Sequence, residues 1–231
     1  MNNSNPMSAE AALNVGIGRR RFFGVAGIAG IGMLGLASCD KDDDDNNVDP
    51  GVNLGSGDTG VLNYAYSLEQ LEAAFYTKVI ASPYTNMSAE EMALLKDVRD
   101  HEIAHREFFK AVLGSSAIQD LEVDFSSIDF TNRTAVLTAA RNFEDLGVQA
   151  YNGAGKLLTD LNNLTLAGKI VSVEARHAAY IRDLLAPGSF ADTTILEPTK
   201  RADYAKTPAE VLAIADTFIV TKINAGNLPT S

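Results

Sequence analysis

The chain of 231 residues has few thiol and basic side chains, with one cysteine, Cys39, and 19 lysines and arginines. One cysteine cannot form an intramolecular disulfide, and thiolate metal sites and redox-active pairs need at least two cysteines. The basic residues are outnumbered by 30 aspartates and glutamates, so the net charge is −11. Because such a chain offers no basic surface to a phosphate backbone, we expect no nucleic-acid partner.

The remaining composition is that of a globular protein, with 46% hydrophobic and 21% charged residues. It excludes the disordered and collagen-like classes and suits one domain of up to about 200 residues with an appendage. The charge is distributed unevenly, because residues 1–38 contain three arginines and one glutamate while the rest of the chain has a net charge of −13. The appendage is therefore expected at the N-terminus.

The first 38 residues have the order of an export signal. Arg19-Arg20-Arg21-Phe22-Phe23 precedes a Gly-rich apolar run over 24–37, which is shorter than the roughly 20 residues of a membrane-spanning helix. The arginines and phenylalanines resemble a twin-arginine export signal, and Leu36-Ala37-Ser38-Cys39 resembles a lipobox. We therefore predict that 1–38 is a removable signal peptide and that lipidated Cys39 attaches the mature protein to a membrane. The alternative is an ordinary N-terminal helix of a cytosolic protein.

Residues 39–59 are interpreted as an acidic flexible tether. Asp40-Lys41-Asp42-Asp43-Asp44-Asp45 is followed by polar, Gly-rich sequence without apolar periodicity, and its like charges repel one another. A calcium loop is the alternative, but the run lacks the spaced ligands and the glycine of such a loop. The run also resembles the acidic stretch that directs some Gram-negative lipoproteins to the outer cell surface. The predicted location is therefore the cell envelope, either the periplasm or the outer cell surface.

Four segments with helical periodicity follow, and local signals set their limits. Ser82-Pro83 ends the first segment, and Ser88 with Glu91 can form a capping box at the start of the second. Short links pair the segments into two antiparallel hairpins, and about 18 residues over 114–131 join the hairpins. The predicted helices span 60–81, 88–113, 132–160 and 163–185.

This connectivity predicts an all-α fold, a four-helix bundle over 60–187 with one long crossover of the ferritin-like kind. The C-terminal extension, 188–231, contains Thr207-Pro208-Ala209-Glu210, which is typical of the start of a helix. We expect a fifth helix there that reaches Phe218 and packs on the bundle.

Each of the four long helices places a glutamate on its apolar face, and two of these glutamates are followed three residues later by a histidine. This spacing puts carboxylate and imidazole on one side of one helical turn. The pattern apolar-Glu-x-Leu-x-x-x-x-Tyr begins at Leu68 and again at Phe143, so the two hairpins repeat one another. The candidate metal ligands are Glu69, Glu102, His105, Glu144, Glu174 and His177.

Four carboxylates in an apolar core cannot all stay ionised unless cations lie between them. Two divalent ions would neutralise the four glutamates, as in di-iron and di-manganese carboxylate bundles. Oxygen and nitrogen ligands without sulfur favour two Fe or Mn ions over copper(I) or an iron–sulfur cluster. The alternative is a set of salt-bridged glutamates beside core histidines. In the metal interpretation, Glu102 and Glu174 are free to bridge, while Glu69 with His105 and Glu144 with His177 are terminal.

Five further residues lie near this set. Tyr76 and Tyr151 follow two of the glutamates on the same helix faces, and we expect each hydroxyl to bond a ligand carboxylate, with a redox role as the alternative. His101 is one position away from the apolar face and is not expected to bind metal. Glu72 and Glu107 are interpreted as surface or rim residues rather than as additional ligands.

Residues 62–76, 101–108 and 173–180 resemble the ferritin-like domain family that includes plant desiccation-related proteins and many exported bacterial proteins. The resemblance covers about 60–187. It implies a ferritin-like bundle with a dinuclear iron or manganese centre. It does not imply one reaction, since the wider fold includes ferroxidases, peroxidases, manganese catalases and oxygenases.

The sequence thus favours an exported, lipid-anchored di-metal protein that reacts with dioxygen or peroxide and protects the cell envelope from oxidative or drying stress. The alternative is a non-catalytic structural or desiccation-related surface protein in which metal is only stabilising. An iron-storage cage fits poorly, because a lipid anchor and an added C-terminal helix do not suit a closed shell. The sequence identifies no catalytic residue, and it is compatible with a homodimer.

Overall fold

The computed structural model of the chain describes residues 50–230. The predicted signal peptide over 1–38, the lipidation site Cys39 and the aspartate run of the tether lie outside these residues. Within residues 50–230, no helix is both long enough and apolar enough to cross a membrane.

Five α-helices make up most of the described chain, and the predicted all-α fold is confirmed. The first two helices pack along one another, as do the third and the fourth, so the chain forms two antiparallel hairpins. Single 3-10 turns at Gly114–Ser116 and Gly155–Leu157 follow the second and the third helix. The helices are α1 (Gly57–Ala81), α2 (Ala89–Leu113), α3 (Arg133–Ala154), α4 (Leu161–Leu185) and α5 (Pro208–Ala215).

Four very short strands lie before and after the four long helices along the chain. The first strand pairs in parallel with the fourth, and the second pairs antiparallel with the third. The parallel pair places the segment before α1 beside the C-terminal segment. The strands are β1 (Val52–Asn53), β2 (Leu196–Glu197), β3 (Ala202–Asp203) and β4 (Ile223–Asn224).

The crossover between the two hairpins is held against α1 by two buried amide side chains. Asn63 Nδ2 donates to the carbonyls of Leu54 and Ser116 at 3.0 and 2.9 Å, and Asn63 Oδ1 accepts from the Ile118 amide at 2.9 Å. Gln70 Oε1 accepts from the backbone of the same crossover at 2.7 Å. These bonds satisfy buried polar groups that would otherwise destabilise the fold.

Aromatic side chains continue the core from the bundle into the crossover and the C-terminal segment. Phe75 of α1 meets Phe125 of the crossover and Phe143 of α3 edge-on, with ring centroids 5.7 and 5.0 Å apart. Phe218 then packs edge-on against Phe143 at 4.9 Å. Edge-to-face pairs of this kind stabilise beyond the area that they bury.

The fifth helix is shorter than predicted. Thr207 and Glu210 form the expected capping box, but the helix ends at Ala215, so Phe218 lies beyond it. The segment that contains Phe218 leaves the helix to pair with the crossover, because its carbonyl accepts from the Asp124 amide at 2.8 Å.

The predicted end of the third helix at residue 160 is wrong. Helix α3 ends at Ala154, and Asp160 is instead the N-cap of α4. The carboxylate of Asp58, at the start of α1, accepts from the backbone amides of Thr159 and Asp160 at 2.8 and 3.0 Å. The turn is therefore fixed by a residue from the other hairpin, which local sequence does not reveal.

We expect the substitution Asp58→Asn to lower the free energy of unfolding at pH 7 by about 1 kcal/mol, since a charged acceptor at this turn is lost. The Thr159 amide, with Asn163 and the Asp160 amide, holds the pKa of Asp58 below its ordinary value of 3.8. The stabilisation is therefore complete above that ordinary value and disappears as the pH falls further. Urea unfolding of both proteins between pH 7 and pH 3 measures this difference.

The exposed Asp97 provides the matched control, because Asp97→Asn removes a charge without removing such bonds. A difference between wild type and Asp58→Asn that stays constant as the pH falls would contradict the assignment.

Candidate metal centre

One glutamate from each long helix lies at the centre of the bundle. The apolar stripe of each helix faces the other helices, so a glutamate within that stripe is buried with it. The histidines at 105 and 177 follow two of these glutamates by one turn, and their side chains are 12% and 7% exposed. The four carboxylates, all 0% exposed, belong to Glu69 of α1, Glu102 of α2, Glu144 of α3 and Glu174 of α4.

Both histidines turn their Nδ1 atoms toward the carboxylates. His105 Nδ1 lies 2.9 Å from Glu174 Oε1 and 3.3 Å from Glu69 Oε2. His177 Nδ1 lies 2.8 Å from Glu102 Oε1 and 3.4 Å from Glu144 Oε2. The structure therefore brings residues from all four long helices into contact around two imidazole nitrogens.

The six predicted residues form two groups of four, and the ligand atoms of each group lie within 4.8 Å of one another. Glu102 and Glu174 belong to both groups. Two ions, one in each group, would share these two glutamates, whereas each of the other four residues belongs to one group alone. Metal binding by the six residues remains a prediction. The first group contains Glu69 and His105 besides the shared pair, and the second contains Glu144 and His177.

The arrangement of these side-chain atoms suits metal coordination better than it suits hydrogen bonding among the six residues. The contacts between imidazole and carboxylate are short, yet within the described residues eight buried atoms of the six side chains have no hydrogen-bond partner. Buried polar atoms are normally paired, because an unpaired one keeps its full desolvation penalty. Oxygen and neutral imidazole donors around one point are the ligands that iron and manganese accept.

Two tyrosines cross-link the hairpins at the cluster. Tyr76 of the first hairpin donates its hydroxyl to Glu144 Oε1 of the second at 2.5 Å. Tyr151 of the second hairpin donates to Glu69 Oε1 of the first. Burial raises the pKa of both phenols well above the usual range, so both stay protonated donors. Each tyrosine occupies one oxygen of a glutamate and leaves the other oxygen to the cluster.

Comparison with known families agrees with this geometry, since residues 57–187 match the family described as ferritin-like domain. The chain belongs to the ferritin-like domain family. The match begins with α1 and ends just after α4, so it contains the whole cluster. No curated protein sequence matches the chain.

Burial and the contacts between carboxylates and imidazoles together set the charge of this ferritin-like cluster. Burial raises the pKa of Glu69 to about 7 and raises the pKa values of Glu144 and Glu174 above their usual range. Burial lowers the pKa of His105 and His177, but the neighbouring carboxylates outweigh it and raise these pKa values to about 12 and about 10. Without metal, the cluster therefore holds protons that an incoming cation must displace.

His101 contacts the cluster of the ferritin-like bundle in a way that the sequence analysis missed. Its Nδ1 lies 2.9 Å from His177 Nε2, and the two rings stack with centroids 5.1 Å apart. A bond at Nε2 fixes the ring of His177 so that Nδ1 faces the carboxylates. The only sequence signal was the spacing of four residues from His101 to His105, because the contact depends on how α2 and α4 align.

The interpretation of Glu107 and Glu72 as surface or rim residues is right for the first and wrong for the second. The Glu107 side chain is 54% exposed and pairs with Arg106 at 2.7 Å. Glu72 is buried, with 3% exposure, because its turn of α1 faces α3. The ferritin-like bundle therefore encloses a fifth carboxylate.

Proposed function

We propose that this protein binds two iron or manganese ions and carries out redox chemistry with dioxygen or peroxide. The observation that carries the proposal is the set of buried atoms without a hydrogen-bond partner, which fall into two groups that share Glu102 and Glu174. Two divalent cations would balance the four negative charges of the glutamates. Within the described residues, the two histidines are the only basic side chains that contact these carboxylates. Glu69 and His105 would hold one ion, and Glu144 and His177 would hold the other.

When bound, such a pair supplies two electrons by oxidation from the divalent to the trivalent state, which balances the reduction of one H2O2 and two protons to two waters. The chain itself orients the ligands. Tyr76 and Tyr151 each hold one carboxylate oxygen in place, and His101 holds the ring of His177. Complete burial of the four glutamates keeps bulk water from the site.

A test uses the purified full-length protein, loaded anaerobically with Fe²⁺ or Mn²⁺. We expect elemental analysis to give two ions per chain. In a single turnover each pair of ions should consume one peroxide, and optical absorption measures that reaction. Two ions without turnover would instead favour the second candidate, a stabilising metal centre, which the complete burial of the four glutamates also supports. Fewer than two ions per chain would reject the proposed centre.

The contact between His101 and His177 provides a further prediction. We expect His101→Ala to weaken metal binding by roughly 10- to 100-fold, since a ligand histidine loses the partner that orients it. Competition with a chromophoric chelator measures the affinity. Lys96→Ala, at an exposed position of the same helix, is the control. Equal affinities in His101→Ala and wild type would show that the contact does not position His177.

We further propose that the protein is exported and lipid-anchored in the cell envelope. Support comes from the sequence alone, namely the order of Arg19-Arg20, the apolar run and Cys39. Growth with a radiolabelled fatty acid should label the wild type and not Cys39→Ala, and the label should be in the membrane fraction. A role in envelope stress predicts that cells without the protein survive peroxide or drying less well.

A further inference from the structure

Glu72 is a buried carboxylate that neither metal-binding group contains. It lies on α1 one turn after Glu69 and is 3% exposed. Its strongest electrostatic neighbours are other carboxylates, those of Glu174, Glu102 and Glu144, and burial together with these charges raises its pKa well above the usual range. Among residues 50–230, no basic side chain forms an ion pair with Glu72. A carboxylate placed in this way destabilises the metal-free protein.

A glycine on the facing helix leaves room for the Glu72 carboxylate. A Cβ atom at Gly147 of α3 would lie 3.2 Å from Glu72 Oε1 and 3.4 Å from Glu174 Oε2. The two carboxylates thus border the same notch in α3, and the absence of a side chain at Gly147 leaves room for both. Glu174 is one of the two glutamates that belong to both groups, so the Glu72 carboxylate borders the same notch as a carboxylate common to both.

We propose that Glu72 is an additional carboxylate ligand, which moves from the notch at Gly147 toward Glu174 and selectively stabilises the trivalent metal pair. This inference rests on the proposed function. Four glutamates balance the charge of two divalent ions, whereas two trivalent ions carry two further positive charges that the four do not balance. A fifth ionised carboxylate next to the bridge reduces that excess, and Coulomb attraction to a trivalent ion is stronger than to a divalent one.

The experiment compares a divalent with a trivalent ion that does not change oxidation state, so the readout is independent of turnover. Mn²⁺ and Ga³⁺, the latter supplied as its nitrilotriacetate complex, are bound to the full-length wild type, Glu72→Gln and the exposed control Glu107→Gln. Retention is measured by elemental analysis after a chelator challenge. We expect Glu72→Gln to retain Mn²⁺ like the wild type and to lose Ga³⁺ roughly 10- to 100-fold more readily.

The outcomes separate the two proposals. A wild type that binds neither ion rejects the metal centre itself. A wild type that binds both, with Glu72→Gln equal to it or weakened equally for both ions, overturns the selective role of Glu72 and leaves the metal centre intact. Circular dichroism establishes that each variant is folded. If Glu72→Gln fails to fold, Glu72→Asp keeps the charge on a shorter side chain, and the same selective loss of Ga³⁺ is expected.

Discussion

The double substitution Glu102→Ala and His105→Ala is expected to abolish binding of both metal ions. Glu102 belongs to both groups of ligand atoms, so its loss removes a carboxylate from each. His105 is the one imidazole of the first group, and its Nδ1 also contacts Glu174, the other shared residue. Loss of a single supporting residue already costs roughly 10- to 100-fold in metal affinity, and loss of direct ligands should cost more. Elemental analysis after loading with Fe²⁺ or Mn²⁺ should fall from two ions per chain to none.

The control for this variant is the exposed pair next to it on the same helix. Arg106→Ala with Glu107→Ala also removes one charged residue of each sign from α2, but these side chains contact one another rather than the cluster. The control should keep both ions. Two ions bound by the Glu102 and His105 variant would show that the metal lies elsewhere and that the assignment of the centre is wrong.

Metal binding should also stabilise the wild type strongly, and Glu174→Gln should lose that effect. A ligand that binds only the folded state at 1,000 times its Kd adds about 4 kcal/mol to the free energy of unfolding. Burial, together with the charges of Glu102 and Glu69, raises the pKa of Glu174 well above its usual range, so an ionised carboxylate is costly there in the metal-free protein. Because an amide has nearly the same shape and no charge, the metal-free variant should unfold within about 1 kcal/mol of the wild type.

Urea unfolding with excess Mn²⁺ and with EDTA measures both quantities. Glu107→Gln, an exposed glutamate outside the cluster, should keep the full increment from metal. Retention of the full increment by Glu174→Gln would contradict a shared role of this residue in the two groups. A large loss of stability in EDTA would show instead that Glu174 supports the metal-free fold.

The helices could be predicted because their signals are local. Thr207 with Glu210 forms the predicted capping box. Ser88 accepts a hydrogen bond from the Glu91 amide at 3.1 Å, which is half of the box predicted there, while the Glu91 carboxylate bonds Tyr84 and Arg133. The end of α3 could not be predicted, since the turn after it is fixed by Asp58 from the other hairpin. Local propensity sets a helix limit only where no tertiary hydrogen bond competes with it.

The six residues of the centre could be predicted for a similar reason. A spacing of three residues places Glu102 with His105, and Glu174 with His177, on one side of one turn whatever the rest of the fold does. The division into shared and terminal residues followed from the ligand set of di-metal carboxylate bundles. His101 could not be recognised, because its partner lies on another helix.

By itself, the sequence determined the all-α class, the hairpins and the residues that lie on the apolar faces, because helical periodicity and capping depend on near neighbours in the chain. The single cysteine also left histidine and carboxylate as the remaining metal-ligand types. Only the tertiary structure decided that Tyr76 and Tyr151 bond across the hairpins, that His101 reaches His177 and that Glu72 is buried. These features depend on the alignment of helices that are distant in the chain, and packing of the whole bundle fixes that alignment.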